Sequence, residues 1–280
     1  MTIRKIQQVI QGQPASDGAG VKLIRSLGSA NHLRLDPFLM LDAFSSENPD
    51  DYVAGFPSHP HRGFETVTYL LDGHLLHEDH LGNRGDIKSG GVQWMTAGRG
   101  IIHSEMPQQE NGRMRGFQLW INLPAKEKMK PAGYRDIQAE EIPTVSFSGG
   151  SVKVIAGKFG DTSGPVQGGS TEPLYWDVLL EKGKAFEAKI SETLAVFVYP
   201  FEGSIEIEDR PLKTHQGGVL GSGDTVRVKA GAEGARFLVL AAKPIKEPVV
   251  QYGPFVMNTR EEIEQAIRDY QNGELTEVAA

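Results

Sequence analysis

Short apolar runs, each closed by a glycine-containing turn, recur along the chain and constrain it to many short strands. Tyr69-Leu70-Leu71 runs into Asp72-Gly73, His80-Leu81 into Gly82-Asn83-Arg84-Gly85-Asp86, and Phe197 to Pro200 into Glu202-Gly203. Turn signals at a spacing of roughly 8–12 residues suit a sandwich or barrel rather than a helical bundle. Phe117, Leu119, Ile121 and Leu123 alternate with other residues and so share one face of an extended strand. Ser204-Ile205-Glu206-Ile207-Glu208 alternates in the same way. One segment reads as a helix: Ile263, Ala266, Ile267 and Tyr270 follow the i, i+3, i+4, i+7 pattern after Thr259. Thr259 with Glu262 makes a capping box, and Gly273 stands where a helix would end.

A faint internal echo divides the chain. Glu65 to Gly73 and Leu194 to Gly203 each read as a strand closing on a turn, and Gly85-Asp86 is echoed by Gly223-Asp224. The stretch from Pro124 to Gly150 is crowded with charge and turn residues and reads as the connection. Two β-domains are expected, residues 1–130 and 131–280, the second carrying the helix.

Composition narrows the function classes. There are no cysteines among the 280 residues, which excludes disulfides, zinc–thiolate sites and thiol nucleophiles. The net charge of −7 argues against direct nucleic-acid binding, which needs clustered Lys and Arg. Met1 to Pro14 has no apolar signal core, and no stretch approaches the roughly 20 apolar residues of a membrane helix. A soluble cytoplasmic protein, monomeric and with no membrane partner, is the expectation.

The chemistry concentrates in two segments. His59 and His61 are two apart, so on a strand both imidazoles point to one face, and Glu65 shares their parity. His103 and Glu105 form a second such pair. On facing strands the pairs would bring three imidazoles and a carboxylate around one point. Imidazole and carboxylate suit Fe, Mn, Co, Ni, Cu or Zn, and open coordination positions would make the site catalytic rather than structural. Parity alone leaves Glu65 and Glu105 both open as the carboxylate ligand. His74, His77 and His80 lie around a turn and read as mostly solvated, and His32 and His215 read as structural. Phe56, Phe64, Phe117 and Trp94 are candidates for an aromatic-friendly pocket, though more often core residues. Arg62, Arg84, Arg99, Arg113 and Arg115 could form a basic patch but read as solvated charge. Gly98 and Gly100 read as a tight turn rather than a phosphate cradle.

These segments resemble the cupin motifs, with departures. Gly55 lies closer to His59 than in the usual pattern, Gly73 lies one residue farther from Glu65, and Gly98 replaces a proline. The departures themselves resemble one two-domain cupin family, the pirins. HPHRGFETVTYLLDG (His59 to Gly73) and VQWMTAGRGIIHSEMP (Val92 to Pro107) carry the resemblance, with LDPFLMLDAF (Leu35 to Phe44) and QYGPFVMNTREEI (Gln251 to Ile263). It implies an all-β bicupin of two antiparallel jelly-roll barrels with a short C-terminal helix. It also implies one divalent metal, usually Fe, on His59, His61, His103 and Glu105, with Glu65 not a ligand and no metal in the second barrel. That agrees with His215 as the only histidine between Leu174 and Leu240.

Pirin-like proteins resemble quercetin 2,3-dioxygenases, which open a flavonol ring with O2 and release carbon monoxide. Small-molecule flavonol and O2 are then the expected partners, with Glu105 as the general base for the flavonol hydroxyl. Two rivals stand beside this. One is a metal-binding regulatory protein that acts through a protein partner without its own catalysis. The other is a metal-dependent isomerase on the same scaffold, since fold does not fix function.

Overall fold

The computed structural model describes residues 1–30, 33–109 and 111–277. His32 lies outside the described residues. Among them strands are the main regular structure, with two short 3-10 turns, a four-residue helical turn at Ala125–Lys128 and one longer helix, Arg260–Asn272. That helix has the expected ends: Thr259 Oγ1 accepts from the Glu262 amide, the Glu262 carboxylate accepts from the Thr259 amide, and Gly273 closes it at φ 77°. Ile263 and Ala266 are buried, whereas Tyr270 is 43% exposed and only its ring edge meets Phe255.

The chain forms two compact units that interleave in sequence. One comprises Met1–Gln13, Ser26–Pro37 and Glu140–Pro244, the other Pro14–Arg25, Phe38–Ala139 and Ile245–Ala280. The units are therefore not the contiguous halves 1–130 and 131–280. Strand pairing explains the exchange at the N-terminus. Ile6–Gln11 runs antiparallel to Gln216–Leu220, which buries Ile6 and Ile10 with the later strands. At the other end, Arg62 bridges Phe255, so the last segment joins the earlier unit. The Pro124–Gly150 stretch is also more than a connection. Gly133–Ile137 pairs with Val92–Thr96, and Thr144–Phe147 pairs with Gly150–Ala156.

The unit built mainly from residues 140–244 is one nine-stranded antiparallel sheet wrapped over a filled apolar core that includes Val154, Trp176, Phe186, Val198 and Phe237. The other unit has a seven-stranded sheet and a four-stranded sheet, hydrogen-bonded separately rather than as one closed ring. In the seven-stranded sheet, Met114–Asn122 lies between Phe38–Ser46 and Phe64–Asp72. Both faces of Met114–Asn122 are largely buried, so the alternation seen from Phe117 to Leu123 does not separate core from solvent.

The four-stranded sheet holds the chemistry. Ile101–Pro107 is flanked by Phe56–His61 on one side and His74–Asp79 on the other. The chain leaves this sheet at Arg62-Gly63 and enters the other at Phe64. Gly63 makes the step possible. Its φ is 92°, and a Cβ there would lie 2.0 Å from the Val256 carbonyl oxygen.

Candidate metal centre

Facing strands bring the two sequence pairs together. His103 lies directly opposite His59, and Ile101 opposite His61. The three imidazoles of His59, His61 and His103 each present a ring nitrogen within 4.8 Å of the others. Their ring centroids are 4.4 to 5.0 Å apart.

The nitrogens are arranged as ligands. His59 Nδ1 is 2.8 Å from the Pro57 carbonyl, an acceptor only, so Nδ1 carries the proton and Nε2 is a lone pair. His59 Nε2 is 3.0 Å from His61 Nε2. His103 Nε2 is buried with no hydrogen-bond partner among the described residues. Burial holds His61 and His103 well below the ordinary imidazole pKa, with the neighbouring histidines adding to it. Neutral imidazoles with converging ring nitrogens, and two buried ones without a hydrogen-bond partner among the described residues (His61 Nδ1 and His103 Nε2), fit a divalent transition metal.

The two carboxylates differ. Glu105 is buried, and its Oε1 accepts from the Thr68 hydroxyl at 2.8 Å. It lines the same cavity as His59 and His61 but is not part of the tight three-imidazole group. A register irregularity between His103 and Glu105 sets Glu105 opposite Phe56. Glu65 lies on the strand after the sheet switch and is engaged by Thr96 Oγ1 (2.7 Å), Trp94 Nε1 (3.4 Å) and Lys130 Nζ (3.5 Å). Parity failed for Glu65 because His61 and Glu65 do not share a strand.

A cavity of about 660 Å³ adjoins the imidazoles, lined by Met40, Phe44, Phe56, Trp120, Gln118 and Glu105 among others. Of the four aromatics expected there, only Phe56 lines it. Phe64 packs on Trp120, Phe117 stacks near Tyr69, and Trp94 is held by Glu65. Trp120 and Phe44 were not among the candidates, because a buried two-faced strand gives no sign of which face meets a cavity.

Two readings of the surface need correction, those of Arg62 and His77. Arg62 is buried: its guanidinium donates to the Arg99 carbonyl, to Asp269 Oδ2 at 2.6 Å and to the Leu275 carbonyl at 3.1 Å. His77 is wholly buried rather than solvated, with its Nδ1 3.3 Å from His103 Nδ1. His215 sits in the turn before Gln216–Leu220 at φ 64°, its Nδ1 2.9 Å from the Tyr199 hydroxyl.

Fold and site together define a two-domain cupin with a cluster of three imidazoles in one domain that could hold a metal ion. The pirin family profile matches residues 20–121, and the profile of the pirin C-terminal cupin domain matches residues 175–276. A Pseudomonas aeruginosa protein, provisionally named a quercetin 2,3-dioxygenase, is 56% identical over 97% of this chain and 98% of its own length. A pirin-like protein of Caulobacter vibrioides is 49% identical over 98% of this chain and 99% of its own. The crystal structure of quercetin 2,3-dioxygenase from Acinetobacter baumannii superposes with a TM-score of 0.91 at 35% identity, covering 98% of each chain. The chain belongs to the pirin family.

Proposed function

We propose that this chain is a metal-dependent dioxygenase of the quercetin 2,3-dioxygenase type, with Fe held by His59, His61, His103 and Glu105. One observation supports this most: an aromatic-lined cavity of about 660 Å³ shares His59, His61 and Glu105 with the metal centre. That volume suits a drug-sized ligand such as a flavonol. The names of the relatives from Pseudomonas aeruginosa and Acinetobacter baumannii support the same activity.

A divalent metal in this site supplies a Lewis acid that lowers the pKa of a substrate hydroxyl, together with a centre for O2 chemistry. The chain supplies the rest. Trp120, Phe44 and Phe56 offer flat apolar surface to a planar ring system. Once loosened from the metal, Glu105 would take the flavonol hydroxyl proton on the carboxylate oxygen that Thr68 does not hold. Buried walls around His61 and His103 keep water from the reacting atoms.

The test is carbon monoxide release from quercetin under air by the Fe-loaded chain. One CO per flavonol consumed is expected, with none under anaerobic conditions. Turnover that persists without O2 would place the chain with the isomerases. No turnover across a flavonol panel would favour the regulatory, partner-binding reading.

A further inference from the structure

His77 has no place in the metal-binding set, yet it is buried beside it. The His74–Asp79 strand pairs with Ile101–Pro107, placing His77 opposite Glu105 and Asp79 opposite His103. His77 Nδ1 faces His103 Nδ1 at 3.3 Å, and its Nε2 faces Asp79 Oδ2 at 3.1 Å. Both the His77 and Asp79 side chains are 0% exposed. Tyr134 stacks on the His77 ring at 4.0 Å and 17°, which fixes the ring plane.

Asp79 is itself anchored. Its Oδ1 accepts from the amides of Leu81 (2.9 Å) and Asn83 (3.1 Å), and its Oδ2 accepts from Asn83 Nδ2 at 2.9 Å. Asp79 is therefore an acceptor only.

The proton positions then follow one after another. Asp79 can only accept, so His77 carries its proton on Nε2. With a single proton on its ring, His77 has a lone pair at Nδ1, which accepts from His103. His103 must therefore be protonated on Nδ1, which leaves its Nε2 as the bare, partnerless nitrogen already found in the imidazole cluster. A ligating histidine fixed through its other nitrogen by a carboxylate is a general device of metal sites. Here a second imidazole is inserted between the carboxylate and the ligand.

We infer that Asp79 and His77 are positioning residues that set the tautomer of His103 and so prepare its Nε2 to bind metal. The inference rests on the metal reading of the site, but its first test needs no metal.

In the metal-free chain with 15N-labelled histidine, long-range 1H–15N correlation should show His77 as the Nε2–H tautomer and His103 as Nδ1–H. Asp79→Asn should invert both. The Asn oxygen keeps the Leu81 and Asn83 amides, so its NH2 faces His77 Nε2 and donates, while the Asn83 side-chain amide turns over to present its oxygen to that NH2. His77 then donates from Nδ1, and His103 is left protonated on Nε2. Zn2+ affinity, measured by competition with a chromophoric chelator, should fall at least about tenfold in Asp79→Asn. Asp79→Ala, which leaves His77 to choose its proton, should lose less. A merely structural role predicts the reverse order, because Ala removes every hydrogen bond that Asn keeps. An Nε2–H tautomer for His103 in the unmodified chain would overturn the inference, even if Asp79→Asn failed to fold. So would Zn2+ binding by Asp79→Asn as tight as by Asp79→Ala. Correct tautomers in an unmodified chain that binds no Zn2+ would support the relay and overturn the metal reading alone.

Discussion

Lys128→Met should lower the stability of the chain by about 3 kcal/mol, or roughly 6–12 °C in Tm, the largest stability loss expected of any single change at the site's periphery. Lys128 is 1% exposed, and its Nζ donates to the Gly63 carbonyl (2.7 Å), Asn122 Oδ1 (2.6 Å) and the Val256 carbonyl (2.9 Å). Burial pushes the ammonium down to about 8, with Glu247 and Glu262 opposing, so at pH 7 it is charged and makes all three bonds. The three acceptors come from the sheet switch at Gly63, the Met114–Asn122 strand and the Phe255–Met257 strand. Met fills the same volume but leaves three buried oxygens unpaired. Thermal unfolding monitored by circular dichroism checks this. A loss below about 1 kcal/mol would mean that the three oxygens find other partners.

Glu105→Gln should abolish most turnover without unfolding the chain. Gln has the shape of Glu, and its amide oxygen still accepts from Thr68, so the buried contact at 2.8 Å survives. The change removes the basic oxygen and the negative charge together. Loss of a general base lowers kcat by roughly 10²- to 10⁴-fold, read as the initial rate of CO release from quercetin. An unchanged melting curve separates this from misfolding, and an unchanged Fe content separates it from loss of the metal. A variant that retains turnover within about twofold would remove Glu105 from the proposed chemistry.

Much of this was legible before any coordinates. The two-residue spacing of His59/His61 and of His103/Glu105 fixes which side chains share a face, and facing strands do join the three histidines. The capped C-terminal helix was legible for the same local reason, since its cap residues act within a single turn. What failed depended on long-range pairing. Glu65 shares parity with His61 on paper, but Gly63 moves the chain to another sheet between them. His77 reads as solvated in the sequence because His74, His77 and His80 lie around a turn at a spacing of three. Only the pairing of His74–Asp79 with Ile101–Pro107 shows that His77 points inward at His103. Arg62 looked like surface charge because its partners, Asp269 and Leu275, lie more than two hundred residues away. The contiguous domain boundary failed likewise, since the terminal segments pair far from their sequence neighbours.

The central claim is that three converging imidazoles hold a metal. Elemental analysis of the purified chain and of the His59→Ala/His61→Ala double variant, beside a folding check on both, tests it most directly. The account predicts about one transition metal per chain in the unmodified protein and almost none in a folded double variant. Full metal occupancy in the folded double variant would contradict it.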